Sequence, residues 1–166
     1  MKKIFPMVTT IILTAGITAS AAGTGHEKIA SQKTSYQLSF AKLQVCDDID
    51  IMLVETPEKS LEFNGTDADI AKVDWKIKDG VLYIKSKAGS LKGKVKLTVN
   101  VSHLKEIAIK GDSEVRSDGE LSSASLKIYL DGSSFISVRN RGMINVVNED
   151  GTELEVRRVV GDVVFG

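Results

Sequence analysis

The chain has few means of locking itself covalently or of turning sharply. Among 166 residues there is one cysteine, Cys46. A lone cysteine cannot close an internal disulfide, so burial rather than cross-linking must hold the fold. Cys46 itself reads as a small buried hydrophobe on a strand. No histidine lies near it in sequence to make it a nucleophile. Proline occurs only at Pro6 and Pro57, and aromatic residues make up 5%. Neither charge dominates: 22 basic residues balance 22 acidic ones. That neutrality argues against a nucleic-acid partner, whose phosphates require a strongly basic footprint. Beyond the N-terminus there is no apolar run long enough to span a membrane.

The N-terminus has the pattern of an export signal. Lys2 and Lys3 are followed by an uncharged apolar core at residues 4–17. Ala19, Ser20 and Ala21 then form a small-residue cleavage site. Residues 1–21 are therefore read as a signal peptide and residues 22–37 as a flexible polar leader. Residues 38–166 form a single domain. No cysteine follows the apolar core, so a lipid anchor is not expected.

The rest of the chain alternates with period two. Leu43 and Val45, then Ile49, Ile51 and Leu53, then Leu61 and Phe63 mark half-buried strands. Val95, Leu97, Val99 and Val101 form the most regular run. Only residues 67–72 suggest a helical turn. Residues 55–59, around Pro57, read as a hairpin loop. Asp79-Gly80 is a strong two-residue turn signal. It pairs Lys78 with Val81, Ile77 with Leu82, and Trp75 with Ile84. One face then collects Val73, Trp75, Ile77, Leu82 and Ile84, which places Trp75 in the core. The other sets Lys76 against Tyr83 and Asp74 against Lys85.

The C-terminal half repeats. IAIKGDSEV, LKIYLDGSSFISV and INVVNEDGTELEV each read as strand, Asp/Gly turn, strand. Asp112, Asp131 and Asp150 recur about every twenty residues, a period typical of stacked coils. The repeat predicts Ile107, Leu126 and Ile144 stacked over one another. The fold class is all-β, with antiparallel hairpins leading into a short parallel β-solenoid.

The order of these motifs resembles the head GIN domain family, secreted proteins of Gram-negative bacteria labelled auto-transporter adhesins. The matching elements are the apolar start from Phe40 to Val45, the strand from Ile49 to Val54 and the DG hairpin from Asp79 to Ile84. The later segments LKEIAIKGDSEV and LKIYLDGSSFISV match its coils. The resemblance runs from about Leu38 to the end. It implies an all-β fold with a right-handed solenoid portion, and it brings no catalytic residues.

Candidate sites are sparse. Asp112, Asp131 and Asp150 could converge on a hard cation, but each also suits its own turn through an Asx bond; no metal or cofactor is expected. Tyr83, Lys85, Lys87, Lys94 and Lys96 fall on alternate positions of neighbouring strands, as a surface for an anionic glycan or lipopolysaccharide would require. Lysines also guard sheet edges. Asp47, Asp48 and Asp50 cluster at a turn, the carboxylate chemistry of glycoside cleavage. No serine-hydrolase elbow accompanies the serine-rich corners. The expected function is that of a non-enzymatic envelope or secreted protein, adhesin-like, with a glycan or an envelope protein as partner. It is exported to the periplasm, the outer-membrane surface or the exterior. A polysaccharide-acting enzyme and a purely structural envelope subunit are the alternatives. The apolar tail VVGDVVFG either folds back over the last coil or pairs with a second copy.

Overall fold

The computed structural model of the chain describes residues 29–87, 91 and 93–148, together with the backbone strands at 153–156 and 163–165. The stretch read as a signal peptide and Asp150 lie outside the described residues. The described residues form fourteen strands and one helical turn: β1 (Ile29–Ser35), β2 (Lys42–Cys46), β3 (Asp50–Glu55), β4 (Ser60–Thr66), α1 (Asp67–Ile70), β5 (Val73–Lys78), β6 (Val81–Ser86), β7 (Lys96–Val101), β8 (Glu106–Lys110), β9 (Glu114–Leu121), β10 (Ser125–Asp131), β11 (Phe135–Asn140), β12 (Met143–Val147), β13 (Glu153–Val156) and β14 (Val163–Phe165). They form two seven-stranded sheets. The first runs β1-β4-β7-β3-β9-β11-β14 and the second β13-β12-β10-β8-β2-β6-β5.

All-β is thus correct, but the sheets are mixed and do not make the expected solenoid. A solenoid stacks its strands in chain order. Here β2 lies between β6 and β8, parallel to both. Likewise β3 lies between β7 and β9. Antiparallel strands finish each sheet, with β1 and β14 on the first and β5 and β13 on the second. The loop at residues 55–59 joins no hairpin, because β7 separates β3 from β4. The C-terminal tail contributes β14, whose backbone pairs antiparallel with β11.

The inner faces are built as the alternation demands. Leu43, Val45, Ile107, Ile109, Ile128 and Val146 from the second sheet are fully buried. They share one core with Leu53, Leu61, Leu97, Val99, Val115 and Ile136 from the first. Each such side chain contributes roughly 1.5–3 kcal/mol by leaving water. The expected stack is shifted at one step. Leu126 does sit opposite Ile144 and Ile128 opposite Val146. Ile107, however, pairs with Ile128, and Ile109 with Leu130. A two-residue slip keeps every side chain on its own face, so alternation cannot detect it.

The corners fix that step. Asp47, Gly111 and Gly132 all hold positive φ, at 69°, 88° and 89°. Their backbones stack: Asp47 N–H donates to the Lys110 carbonyl and Gly111 N–H to the Asp131 carbonyl. Asp112 and Asp131 therefore do not line up on one another. Asp112 follows its corner glycine, whereas Asp131 precedes its own and pairs with Lys110 at 3.8 Å. Beneath the same corner the buried Ser113 hydroxyl donates to the Asp47 carbonyl and accepts from Ile49 N–H.

Residues 29–35, read from sequence as part of the loose leader, form β1 and pair along their whole length with β4. This strand has no apolar alternation, since Gln32 and Thr34 occupy the positions a core residue would take. Just beyond it, Tyr36 is half-buried and its hydroxyl donates to the Asn100 carbonyl at 2.6 Å. Burial pushes the Tyr36 phenol up to about 12. A raised folded-state pKa stabilises fully below the unfolded value near 10 and is lost as pH climbs through about 12. Denaturation midpoints should therefore fall between about pH 10 and pH 12. Tyr36→Phe should fall less over that window; an identical alkaline profile would contradict this burial.

The hairpin at Asp79-Gly80 has the register read from sequence: Trp75 opposite Ile84, Lys76 opposite Tyr83, Asp74 opposite Lys85. Trp75 is only half-buried rather than in the core. Strand β5 is the last of its sheet, and no large apolar side chain of β1 meets the indole from across the gap.

Candidate functional site

Three residue levels cross the outer face of the second sheet, set by strand register. One level runs Lys78, Val81, Lys42, Glu106, Lys127. The next runs Lys76, Tyr83, Gln44, Ala108, Tyr129, and the third Asp74, Lys85, Cys46, Lys110, Asp131. All point outward because their neighbours Leu43, Val45, Leu82, Ile84, Ile107, Ile109 and Ile128 point in. On β5, β6, β2, β8 and β10 the face carries six lysines (42, 76, 78, 85, 110 and 127) against three carboxylates, Asp74, Glu106 and Asp131. A basic face on a chain of net charge +0 is a local concentration of charge.

Two tyrosines punctuate it. The Lys76 ammonium lies 5.4 Å from the Tyr83 ring centroid, and Lys127 lies 5.2 Å from that of Tyr129. Two strands separate the rings, so at ~4.8 Å per strand they stand roughly 14 Å apart. Between them at the same level stand Gln44 and Ala108. The carboxylates are occupied: Glu106 bonds Lys42 at 2.9 Å, and Asp74 and Asp131 face Lys85 and Lys110 at 3.9 and 3.8 Å. The Glu106 hydrogen bond holds the Lys42 ammonium above the usual lysine range and keeps it charged.

The five residues singled out from sequence do not form one surface. Tyr83 and Lys85 lie on this face. Lys96 lies on the first sheet, between Asp50 and Asn64, and Lys94 occupies the turn before it. Lys87 bends back to the carbonyl of Ala71 at 3.2 Å. Sequence reasoning missed Lys42, Lys76, Lys78, Lys110, Lys127 and Tyr129. Their parity against the core positions could have found them, once the strands were assigned to one sheet. Cys46 is on β2 as read, but on the outer side and half-exposed. The acidic cluster is also dispersed: Asp47 is in the corner, and Asp50 accepts from Gly93 N–H at 2.8 Å.

The chain is thus an all-β, two-sheet domain with a flat, basic, tyrosine-bearing face. It belongs to the head GIN domain family: residues 39–162 match the family described as "Putative auto-transporter adhesin, head GIN domain". The fold is similar to that of a putative adhesin from Bacteroides fragilis at a TM-score of 0.63 and 21% identity. That match covers 74% of this chain and 59% of the other. A putative adhesin from Parabacteroides merdae is similar at a TM-score of 0.54 and 21% identity, over 63% of this chain and 45% of that one. The chain therefore spans less than two thirds of either protein. No curated protein matches it.

Proposed function

We propose that the protein is an exported, non-enzymatic attachment module whose second sheet binds an anionic glycan through its outer face. The observation that carries this reading is the excess of lysines on one flat face around two outward tyrosines. Lysines supply attraction to carboxylate or sulfate groups, and aromatic rings offer faces on which sugar rings lie. The non-enzymatic part rests on the carboxylates of that face, which pair with lysines rather than with one another across a cleft. The family's adhesin label supports the same reading and favours the cell envelope or exterior as its location.

Immobilised alginate, a polyuronate, and uncharged dextran provide the test. Binding to alginate should exceed binding to dextran and should fall on the order of tenfold between about 50 and 200 mM salt, because exposed charges are screened. The double substitution Tyr83→Ala with Tyr129→Ala should weaken it on the order of tenfold, about 1.4 kcal/mol for two exposed ring contacts. Equal binding to both polymers, or binding indifferent to salt, would sink the proposal.

A further inference from the structure

At the opposite side of the same sheet the two sheets part. A recess of about 220 Å³ opens there between the edge strands β1 and β5, roofed by α1. Trp75 and Phe63 line it together with Gln32, Thr34, Asp67 and Lys87. Facing sheets ordinarily fill the space between them with apolar side chains from both sides. Here β5 presents an indole, whereas β1 answers with Gln32 and Thr34, which stand opposite Phe63 and Leu61 in the pairing with β4. Gln32, exposed, and Thr34, half-buried, stand where the alternation of the neighbouring strand places Phe63 and Leu61, which breaks the local rule that the rest of the chain obeys, and such breaks concentrate at functional sites.

The polar groups are already arranged. Gln32 Nε2 donates to the Asp67 carboxylate at 3.1 Å, which fixes the amide and leaves its oxygen to accept. Asp67 opens α1, and that turn is held by Thr66, whose hydroxyl accepts from Asp69 N–H at 3.2 Å. Lys72 in turn bonds Asp69 at 2.6 Å and, with Thr66, holds its carboxyl below the usual range. Lys87 is tied to the carbonyl of Ala71 across the rim. One carboxylate and one ammonium at the mouth cancel, so the recess selects neither charge. It is also smaller than the ~300–1,000 Å³ typical of drug-sized ligands.

We infer that this recess holds a single neutral pyranose ring, with the carbon face of the sugar against Trp75 and its hydroxyls bonded by Gln32, Thr34 and Asp67. A sugar ring has one apolar face and a hydroxyl rim, which matches an aromatic wall opposite amide, hydroxyl and carboxylate groups. The site is separate from the tyrosine face and does not depend on it. It takes an uncharged ring where that face takes an anionic polymer.

Trp75 is the only tryptophan of the chain, so its emission reports on the recess alone. The full chain is titrated with the methyl glycosides of glucose, galactose, mannose and N-acetylglucosamine. At least one should change Trp75 emission saturably, with a millimolar Kd, and protect it from acrylamide quenching. Gln32→Ala, a change at an exposed edge position, should weaken that response about tenfold, as the loss of one hydrogen bond held in place would. Asp67→Asn should weaken it too. The response should be unmoved by salt and by Tyr83→Ala with Tyr129→Ala, which separates it from the outer face. Absence of a saturable change with all four glycosides up to about 100 mM, well beyond millimolar affinity, would overturn the inference. So would a Gln32→Ala variant that responds like the parent.

Discussion

Ile107→Ala is expected to lower the unfolding free energy by about 4 kcal/mol, within the range of buried Ile-to-Ala truncations. Ile107 is fully buried on the central strand β8. It lies between Leu43 of β2 and Ile128 of β10, both also buried. Three packed side chains in a row leave little room for collapse into the vacated space, so the cavity adds to the lost transfer energy. Urea denaturation should show a lower midpoint with an unchanged slope. A loss below about 1 kcal/mol would mean that Ile107 is not in the core and that the register across β2, β8 and β10 is wrong.

The second large effect concerns a glycine that needs no unusual backbone. Gly142 lies at the corner between β11 and β12, where the chain passes close to the corner below. A Cβ there would come within 2.2 Å of the Ala124 carbonyl oxygen and 2.4 Å of that of Ser123. These are backbone atoms and cannot step aside. The corner is further pinned by the buried Asn140, whose Nδ2 donates to the carbonyls of Ser123 at 2.9 Å and Met143 at 3.2 Å. Its Oδ1 accepts from Ser123 N–H at 3.1 Å. Gly142→Ala should therefore cost about 3 kcal/mol, the upper end of overpacking penalties. Gly80→Ala is the control: it meets nothing within 4 Å and suffers only its φ of +74°. That strain amounts to about 1 kcal/mol. Equal losses for the two variants would contradict the close approach of the corners.

The contrast between these residues shows what the chain's text could convey. The β5–β6 hairpin was readable to the residue, because its pairing is local and Asp79-Gly80 sets the register. The buried positions were readable too, since alternation marks Leu43, Ile51, Leu97 and Ile107 as inward wherever their strands lie. Alternation says nothing about which strands are neighbours. That β7 inserts between β3 and β4, and β2 between β6 and β8, depends on long-range packing that no short segment encodes. The same blindness split the lysine surface: Lys85 and Lys96 have the same parity on their strands but belong to opposite sheets. Strand β1 was missed for another reason. It is held by its backbone pairing with β4, and its side chains carry no apolar pattern. The recess was hidden by the same omission, because Trp75 becomes part of its wall only once β1 is known to line the other side.

The most direct test of the working surface is a residue-level footprint. Amide chemical shifts of the isotope-labelled protein would be recorded as short alginate oligomers are added. The perturbed amides should cluster on β6, β2, β8 and β10, around Tyr83, Gln44, Ala108 and Tyr129, and should fade at high salt. Perturbations confined to the first sheet, around Lys96, Met52 and Arg116, would contradict the account.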